Sequence, residues 1–268
     1  MKKQLVIYHA NCIDGFTSAW AVWKKYGDEN TEYLPASYGD KVPDVTGRWV
    51  LVVDFSYPRD VMVKMNEQTS GLSVFDHHKT AEAALEGLNF ATFDMARSGA
   101  GLTWDILHRN ARPWLIDFVE DRDLWRWKIS KSKEANAWIS ACKRDSFADW
   151  DRLSATPLAD VISNGEAVLA FVDRYVSEMV EQARIIDFEG ARVPIVNAPY
   201  INISELVGKL AETAPFALGW FQRADGLYAY SLRSRGPDGV DVSEIAKKYG
   251  GGGHRNSAGF TCVDRIRE

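Results

Sequence analysis

Three short runs in the first third of the chain are continuously apolar: "QLVIY" (4–8), "WVLVV" (49–53) and "LSVF" (72–75). A strand exposed on one face alternates apolar and polar residues; unbroken runs predict strands covered on both faces, as in a parallel sheet. Helical stretches separate them. "GFTSAWAVWKKYG" carries Trp20, Val22 and Trp23 near helical spacing, and "PRDVMVKMNEQ" begins at Pro58, which suits a first helical turn. "TAEAALEG" follows the third run. Strand–helix alternation of this kind predicts crossover units and a parallel sheet.

Beyond about residue 95 the periodicity turns helical, through "SGAGLTWDILHRN", "RPWLIDFVEDRDLW" and "KEANAWISACKRD". From Asn164 the apolar positions Val168, Phe171, Val172, Tyr175, Val176, Met179, Val180 and Ala183 recur at three and four, predicting a long amphipathic helix that joins two lobes. From about Phe188 the pattern changes again. "ARVPIVNA" reads as a strand and "NISELVGKLAE" as a helix, while "FALGWFQRADGLYAYSLRSR" reads as two strands around a turn at Asp225-Gly226. "VDVSEIAKKYG" reads as a helix with Asp241 and Glu244 in a capping-box pattern, ending at the glycine run 250–253. The expected fold class is α/β. A parallel-sheet domain over 1–157 has flanking helices, a connecting helix covers 158–187, and a smaller α/β domain covers 188–268.

With 46% hydrophobic and 26% charged residues, the composition is that of a soluble globular protein. The N-terminal apolar run ends too soon, at His9 and Asn11, for a signal peptide, and no run approaches membrane-spanning length. Three widely spaced cysteines (Cys12, Cys142 and Cys262) argue for a reduced, cytoplasmic protein rather than a disulfide framework, with Cys12 read as a small buried residue. The net charge of −5 divides unevenly, −6 over 1–187 (22 basic, 28 acidic) and +1 over 188–268 (10 basic, 9 acidic). That balance excludes a broad basic face for long duplex DNA, but not a small anion held by metals and a few arginines.

The chemistry gathers where the predicted strands end. The first strand runs into His9, with Asp14 shortly after; the second into Asp54; the third into Asp76-His77-His78. In an open parallel sheet these carboxyl ends form one edge, where ligands bind. Adjacent histidines point to opposite faces of a strand, so an ordinary core has no use for the pair. Imidazole and carboxylate donors suit Mn²⁺, Fe²⁺, Co²⁺ or Zn²⁺. So many donors exceed the needs of one ion and fit two, about 3.5–4 Å apart. In the second lobe, Arg233 and Arg235 fall on one face of a strand as planar forks for phosphate. The glycine run, followed at once by His254, Arg255 and Asn256, reads as an anion-binding nest. Arg97 and Ser98 are further candidate substrate-binding residues.

With these residues in place, the chain resembles the DHH/DHHA1 phosphoesterase family over nearly its whole length. "YHANCIDGFTSA", "VVDF", "FDHH" and "VEDRDLW" resemble its four N-terminal motifs; "SLRSR" (231–235) and "GGGGHRNSAGF" (250–260) resemble its C-terminal substrate-binding lobe. The resemblance implies metal ligands at His9, Asp14, Asp54, Asp76, His77 and Asp121, with Asp123 the alternative within "EDRD". It implies a catalytic contribution from Asp76 and from His78, which supports the metal site or touches phosphate. It further implies substrate contacts from Arg233, Ser234, Arg235, Gly252, Gly253, His254 and Asn256. The chain departs from the pattern at Cys12, where many relatives carry a first aspartate.

The expected cofactors are two Mn²⁺, with Co²⁺, Fe²⁺ or Mg²⁺ as alternatives. The expected activity is hydrolysis of short single-stranded RNA or linear dinucleotides such as pGpG and pApA to mononucleotides, in a cleft between the lobes, by a monomer or homodimer. A cyclic dinucleotide phosphodiesterase, a 3′-phosphoadenosine 5′-phosphate phosphatase and a non-catalytic nucleotide-sensing module are the alternatives.

Overall fold

A computed structural model describes residues 3–236 and 238–266. The chain divides into two compact units, residues 1–169 and 170–268.

In the first unit β1 (Gln4–His9), α1 (Ile13–Tyr26), β2 (Thr31–Ala36), β3 (Trp49–Val53), α2 (Arg59–Gln68), β4 (Gly71–Asp76), α3 (Lys79–Ala84) and β5 (Ala91–Phe93) alternate as expected. Among the described residues, five helices come next: α4 (Gly99–Leu107), α5 (Trp114–Asp123), α6 (Ser132–Ala141), α7 (Phe147–Ala155) and α8 (Leu158–Val180). The strands form one sheet in the order β2-β1-β3-β4-β5, every pairing parallel. Leu5, Val6, Ile7, Leu51, Val52 and Val74 are fully buried, which is why their strands read as unbroken apolar runs. The chain enters at β1, steps outward to β2, then returns past β1 to β3. The reversal places a switch point between β1 and β3, and a crevice opens beyond the carboxyl ends of strands at such a point.

The second unit contains β6 (Arg184–Phe188), β7 (Ala191–Asn197), α9 (Ile203–Leu210), β8 (Phe216–Gln222), β9 (Tyr228–Ser234), α10 (Val242–Lys248), β10 (Gly252–His254) and β11 (Ser257–Cys262). Its sheet runs β10-β11-β9-β8-β7-β6, antiparallel except between β7 and β8. The turn at Asp225-Gly226 joins β8 to β9, with Gly226 in the left-handed region at φ 87°. Helix α8 begins six residues before Asn164 and crosses the boundary between the units. Its stripe packs through Val172, Tyr175, Val176 and Met179 against Leu206, Val207 and neighbours, whereas Phe171, expected in the stripe, is exposed. No described helix is long and apolar enough to cross a membrane.

The glycine run departs from the expected nest. The Gly250 and Gly251 amides donate to Lys247 and Ala246 carbonyls and close α10, and Gly252 to His254 form an edge strand against β11. A Cβ at Gly251 would lie 2.1 Å from the Gly259 carbonyl oxygen, so the bare backbone there permits close strand packing.

Candidate metal centre

Asp54 directly follows β3 and adopts φ 53°, rare for a residue with a side chain. This conformation turns the chain sharply at the strand end. Gly99, the first residue of α4, sits against it: a Cβ there would lie 2.5 Å from Asp54 Cβ. The same helix start holds Asp14. Gly99 and Ala100 donate their backbone N–H groups to the two Asp14 oxygens at 2.6 and 3.0 Å. The open N–H groups and positive end of a helix suit a carboxylate there. Ser98 caps this helix, accepting from the Gly101 N–H, and is fully buried. Ser98, expected as a substrate-binding residue, serves here as a buried cap of the helix start that holds Asp14. Arg97 is likewise engaged locally, with Asp94 and Asp105.

The ends of β1, β3 and β4 converge as expected. His77 Nε2 lies 3.0 Å from Asp54 Oδ1 and 3.5 Å from Asp14 Oδ2. His9 Nδ1 lies 3.6 Å from Asp54 Oδ2, so the two oxygens of Asp54 face two different imidazoles. Asp76 Oδ1 is 2.7 Å from His78 Nδ1 and also accepts the His77 and His78 backbone N–H groups, which fixes the His-His turn.

Asp121 does not join them. Its carboxylate accepts from the backbone N–H groups of Lys128 at 2.9 Å and Ile129 at 3.4 Å, holding the loop after α5. Asp123 faces the cluster instead, with Oδ2 3.5 Å from His77 Nε2. Cys12, read as a small buried residue, is half-buried at the start of α1, and its sulfur lies within 4.8 Å of donor atoms of His9 and Asp54. Asp14 with His77 and Asp123, and Asp54 with Asp76 and His78, form equally compact donor sets. Asp54 thus belongs to two of these three. His108 closes α4: its ring stacks on Trp104 at 4.0 Å and its Nε2 meets the Ala21 carbonyl.

Two like charges 4 Å apart repel by about 4 kcal/mol at an effective dielectric near 20. Asp14, Asp54 and Asp76 are at most 2% exposed, so their charges need compensation. Burial, with the charges of Asp54 and Asp123, holds the Asp14 carboxyl well above its usual 3.8 despite help from His77 and Ser98. Asp123 is raised by burial and Asp54, partly offset by His77. Burial disfavours the imidazolium of His77, but Asp123, Asp54 and Asp14 outweigh it and raise His77 well above 6.5. His9 is raised too, where the adjacent Asp54 carboxylate overcomes burial. Asp54 moves down: burial opposes its charge, yet the hydrogen bond from His77 and the adjacent His9 imidazole hold it well below the carboxylate range. The metal-free cluster thus retains protons where a centre of this composition takes cations.

The residues fit divalent metal. Asp54 Oδ2, Asp76 Oδ2, Asp123 Oδ2 and His9 Nδ1 are buried without a hydrogen-bond partner among the described residues. Orphaned carboxylate oxygens converging with imidazoles are costly unless they ligate.

These shifts give the metal-free protein a pH dependence. Asp14, Asp123, His9 and His77 all bind protons more tightly folded than unfolded. Their contribution to stability is in place at low pH and is lost as pH rises. The Asp54 contribution runs the other way but is complete above the usual 3.8. The Tm of chelator-treated protein is therefore expected to fall between about pH 5 and about pH 8, and saturating divalent metal to reverse the trend. A Tm that climbs with pH in chelator would contradict the cluster's electrostatics.

In the second unit, Arg233 donates to Ser204 Oγ at 2.7 Å and Arg235 to Glu212 at 2.8 Å, both toward the α9 side of the sheet, as i and i+2 on a strand require. Ser234 is buried, its hydroxyl donating to the Val240 carbonyl and accepting from Asn256. Asn256 also reaches the Gly236 carbonyl. Ser234 and Asn256 therefore hold the Gly236 and Val240 carbonyls from behind. Of the expected contacts, Arg235 is the exposed one, beside an open pocket of about 510 Å³ that Gly236, Gly239, Val240, Ala214 and Pro215 also line. His254 is half-buried at the end of β10.

No protein-family model matches the chain. It is 28% identical over 284 residues to an uncharacterized protein of Acanthamoeba polyphaga mimivirus; the match covers 96% of this chain but 66% of that one, so the chain spans less than two thirds of its relative. Among solved structures, the exonuclease RecJ bound to manganese matches with TM-score 0.51 and 12% identity, over 97% of this chain and 86% of that chain. The pGpG-specific phosphodiesterase PggH from Vibrio cholerae matches with TM-score 0.52 and 13% identity, over 97% of this chain and 93% of that chain. At these identities the likeness is one of architecture: a parallel sheet with flanking helices, followed by a second sheet, is a fold this chain shares with PggH and RecJ.

Proposed function

We propose that this protein is a divalent-metal-dependent phosphodiesterase that hydrolyses short single-stranded oligoribonucleotides or linear dinucleotides to mononucleotides. The observation that carries the reading is the convergence of His9, Asp14, Asp54, Asp76, His77 and Asp123 with unpartnered carboxylate oxygens at the sheet edge. The fold is shared with a phosphodiesterase and an exonuclease, which supports the reaction class.

Asp14, His77 and Asp123 would hold one ion; His9, Asp54 and Asp76 would hold a second, with Asp54 shared. Mn²⁺ suits this mixture of imidazole and carboxylate better than Mg²⁺, which prefers oxygen alone. When bound, such a pair supplies positive charge at the phosphoryl oxygens and lowers the pKa of the attacking water. The chain's own residues do the positioning. Asp76 accepts from His78 Nδ1 and so orients the ring toward the phosphate. Trp125, exposed two residues beyond Asp123, offers a face on which a base can stack. Arg235, exposed in the second unit, offers a guanidinium fork suited to a phosphate. The acidic balance of residues 1–187 gains nothing from extra phosphates, so affinity should not grow with strand length.

The test is a substrate panel in Mn²⁺: oligoribonucleotides from two to twenty residues, a cyclic dinucleotide and 3′-phosphoadenosine 5′-phosphate. Mononucleotide release is expected to be fastest from substrates of two to about five nucleotides and to stop in chelator. A rate that rises steadily with length would replace this reading with a processive exonuclease. Full metal occupancy with no hydrolysis of any substrate would replace it with a nucleotide-sensing module.

A further inference from the structure

Cys12 has no role in the metal centre as assigned above from imidazole and carboxylate donors. The Asn11 backbone at φ 56° precedes Cys12, and Cys12 is the residue that caps α1. Its side chain makes no capping hydrogen bond to the helix. Instead its sulfur groups with His9 and Asp54, every donor atom within 4.8 Å of the others. The other two members form an unclosed pair: His9 Nδ1 and Asp54 Oδ2 are buried and face each other at 3.6 Å, too far for a hydrogen bond, and neither has another hydrogen-bond partner among the described residues. Cys142 and Cys262 fall in none of the donor sets found among the described residues.

We propose, resting on the metal-centre reading, that Cys12 is itself a metal ligand, so that the position it forms with His9 and Asp54 takes a thiophilic divalent ion, Zn²⁺ or Co²⁺, in preference to Mn²⁺ or Mg²⁺. Softness supplies the reason. A thiolate selects borderline and soft ions, whereas carboxylate and water suit Mg²⁺ and Mn²⁺. The thiol releases its proton to solvent as the ion binds, as a coordinating thiol does. The set Asp14, His77 and Asp123 contains no sulfur. The two positions of the centre are therefore chemically unlike, one of mixed sulfur, nitrogen and oxygen donors and the other of nitrogen and oxygen only.

The experiment is a Co²⁺ titration of the chelator-treated full chain followed by absorption, with Zn²⁺ affinity measured by competition against a chelating dye. The native chain is expected to give visible d–d bands together with a near-ultraviolet thiolate-to-cobalt charge-transfer band. Cys12→Ser is expected to lose the charge-transfer band, retain d–d bands from the sulfur-free set, and bind its tightest Zn²⁺ at least about 100-fold more weakly, since even supporting residues around a metal cost 10–100-fold. Cys12→Asp, which restores an oxygen donor, is expected to bind Mn²⁺ more tightly than the native chain and give no charge-transfer band. Circular dichroism of both variants checks that they fold. Visible bands without a thiolate band in the native chain would overturn the proposal while leaving the metal centre standing. A thiolate band that survives Cys12→Ser would overturn it too, by assigning the sulfur to Cys142 or Cys262. Absence of any Co²⁺ or Zn²⁺ binding would remove the metal-centre reading itself.

Discussion

Asp54→Asn is expected to lower kcat by at least about a thousandfold and to leave the chain unable to retain two ions through gel filtration. A metal pair contributes several kcal/mol to transition-state charge stabilisation, and each 1.4 kcal/mol is about tenfold in rate. Asp54 is placed to take the largest share of that loss. Its Oδ1 meets His77 at 3.0 Å and its Oδ2 faces His9 at 3.6 Å. It is also the carboxylate held well below its usual range, through the hydrogen bond of His77 and the adjacent His9 imidazole, and so stays charged where Asp14 and Asp123 resist charging. Asparagine keeps the shape and one oxygen but cannot bring a negative charge to two positions at once. Metal analysis beside single-turnover kinetics reads the result. A variant that holds two ions and turns over within tenfold of the native chain would show that another residue, Asp76 first, joins the positions.

The parts of the fold that were legible from sequence are those where one physical demand dominates. Strands β1, β3 and β4 are buried on both faces, so their composition announces them. β2 was silent because it lies at the sheet edge and carries Glu32 and Pro35, which weaken any strand pattern. β10 was silent because Gly-Gly-His has almost no side-chain periodicity to read, and its glycines also fit an anion nest. α7 buries only Trp150 and Leu153, too few positions to set a period. In the centre, His9, Asp54, Asp76 and His77 were legible because a parallel sheet aligns its strand ends. The capping role of Ser98 was not legible, because a capping serine and a substrate-binding serine look alike until the helix start is seen gripping Asp14. The glycines in that grip, above all Gly99, were signals available in "SGAG" but unreadable without knowing that Asp54 lies against them.

The choice between Asp121 and Asp123 could not be made from sequence, because both lie at the end of one helix and differ only in direction. Two residues along a helix turn the side chain by about 200°, so one must face the cluster and the other away. The two should accordingly fail in opposite ways. Asp123→Asn is expected to cost metal binding and to lower kcat/KM by at least about a hundredfold, while raising the stability of the chelator-treated protein at neutral pH. The sign is set by burial and the nearby Asp54, which raise the Asp123 carboxyl; its ionised form is less favourable folded than unfolded, and a neutral side chain is relieved of that. Asp121→Ala is expected to do the reverse. Its carboxylate satisfies the Lys128 and Ile129 amides, and its own carbonyl accepts from Arg126 and Trp127, so it organises a loop in which Trp125 and Trp127 both hold positive φ. Removing the side chain strands those amides, at about 1–3 kcal/mol of stability, with metal stoichiometry retained. Thermal unfolding in chelator and metal analysis on both variants separate the roles. If Asp121→Ala lost the metal while Asp123→Asn kept it, the ligand would be Asp121 and the loop after α5 would have to turn over when metal binds.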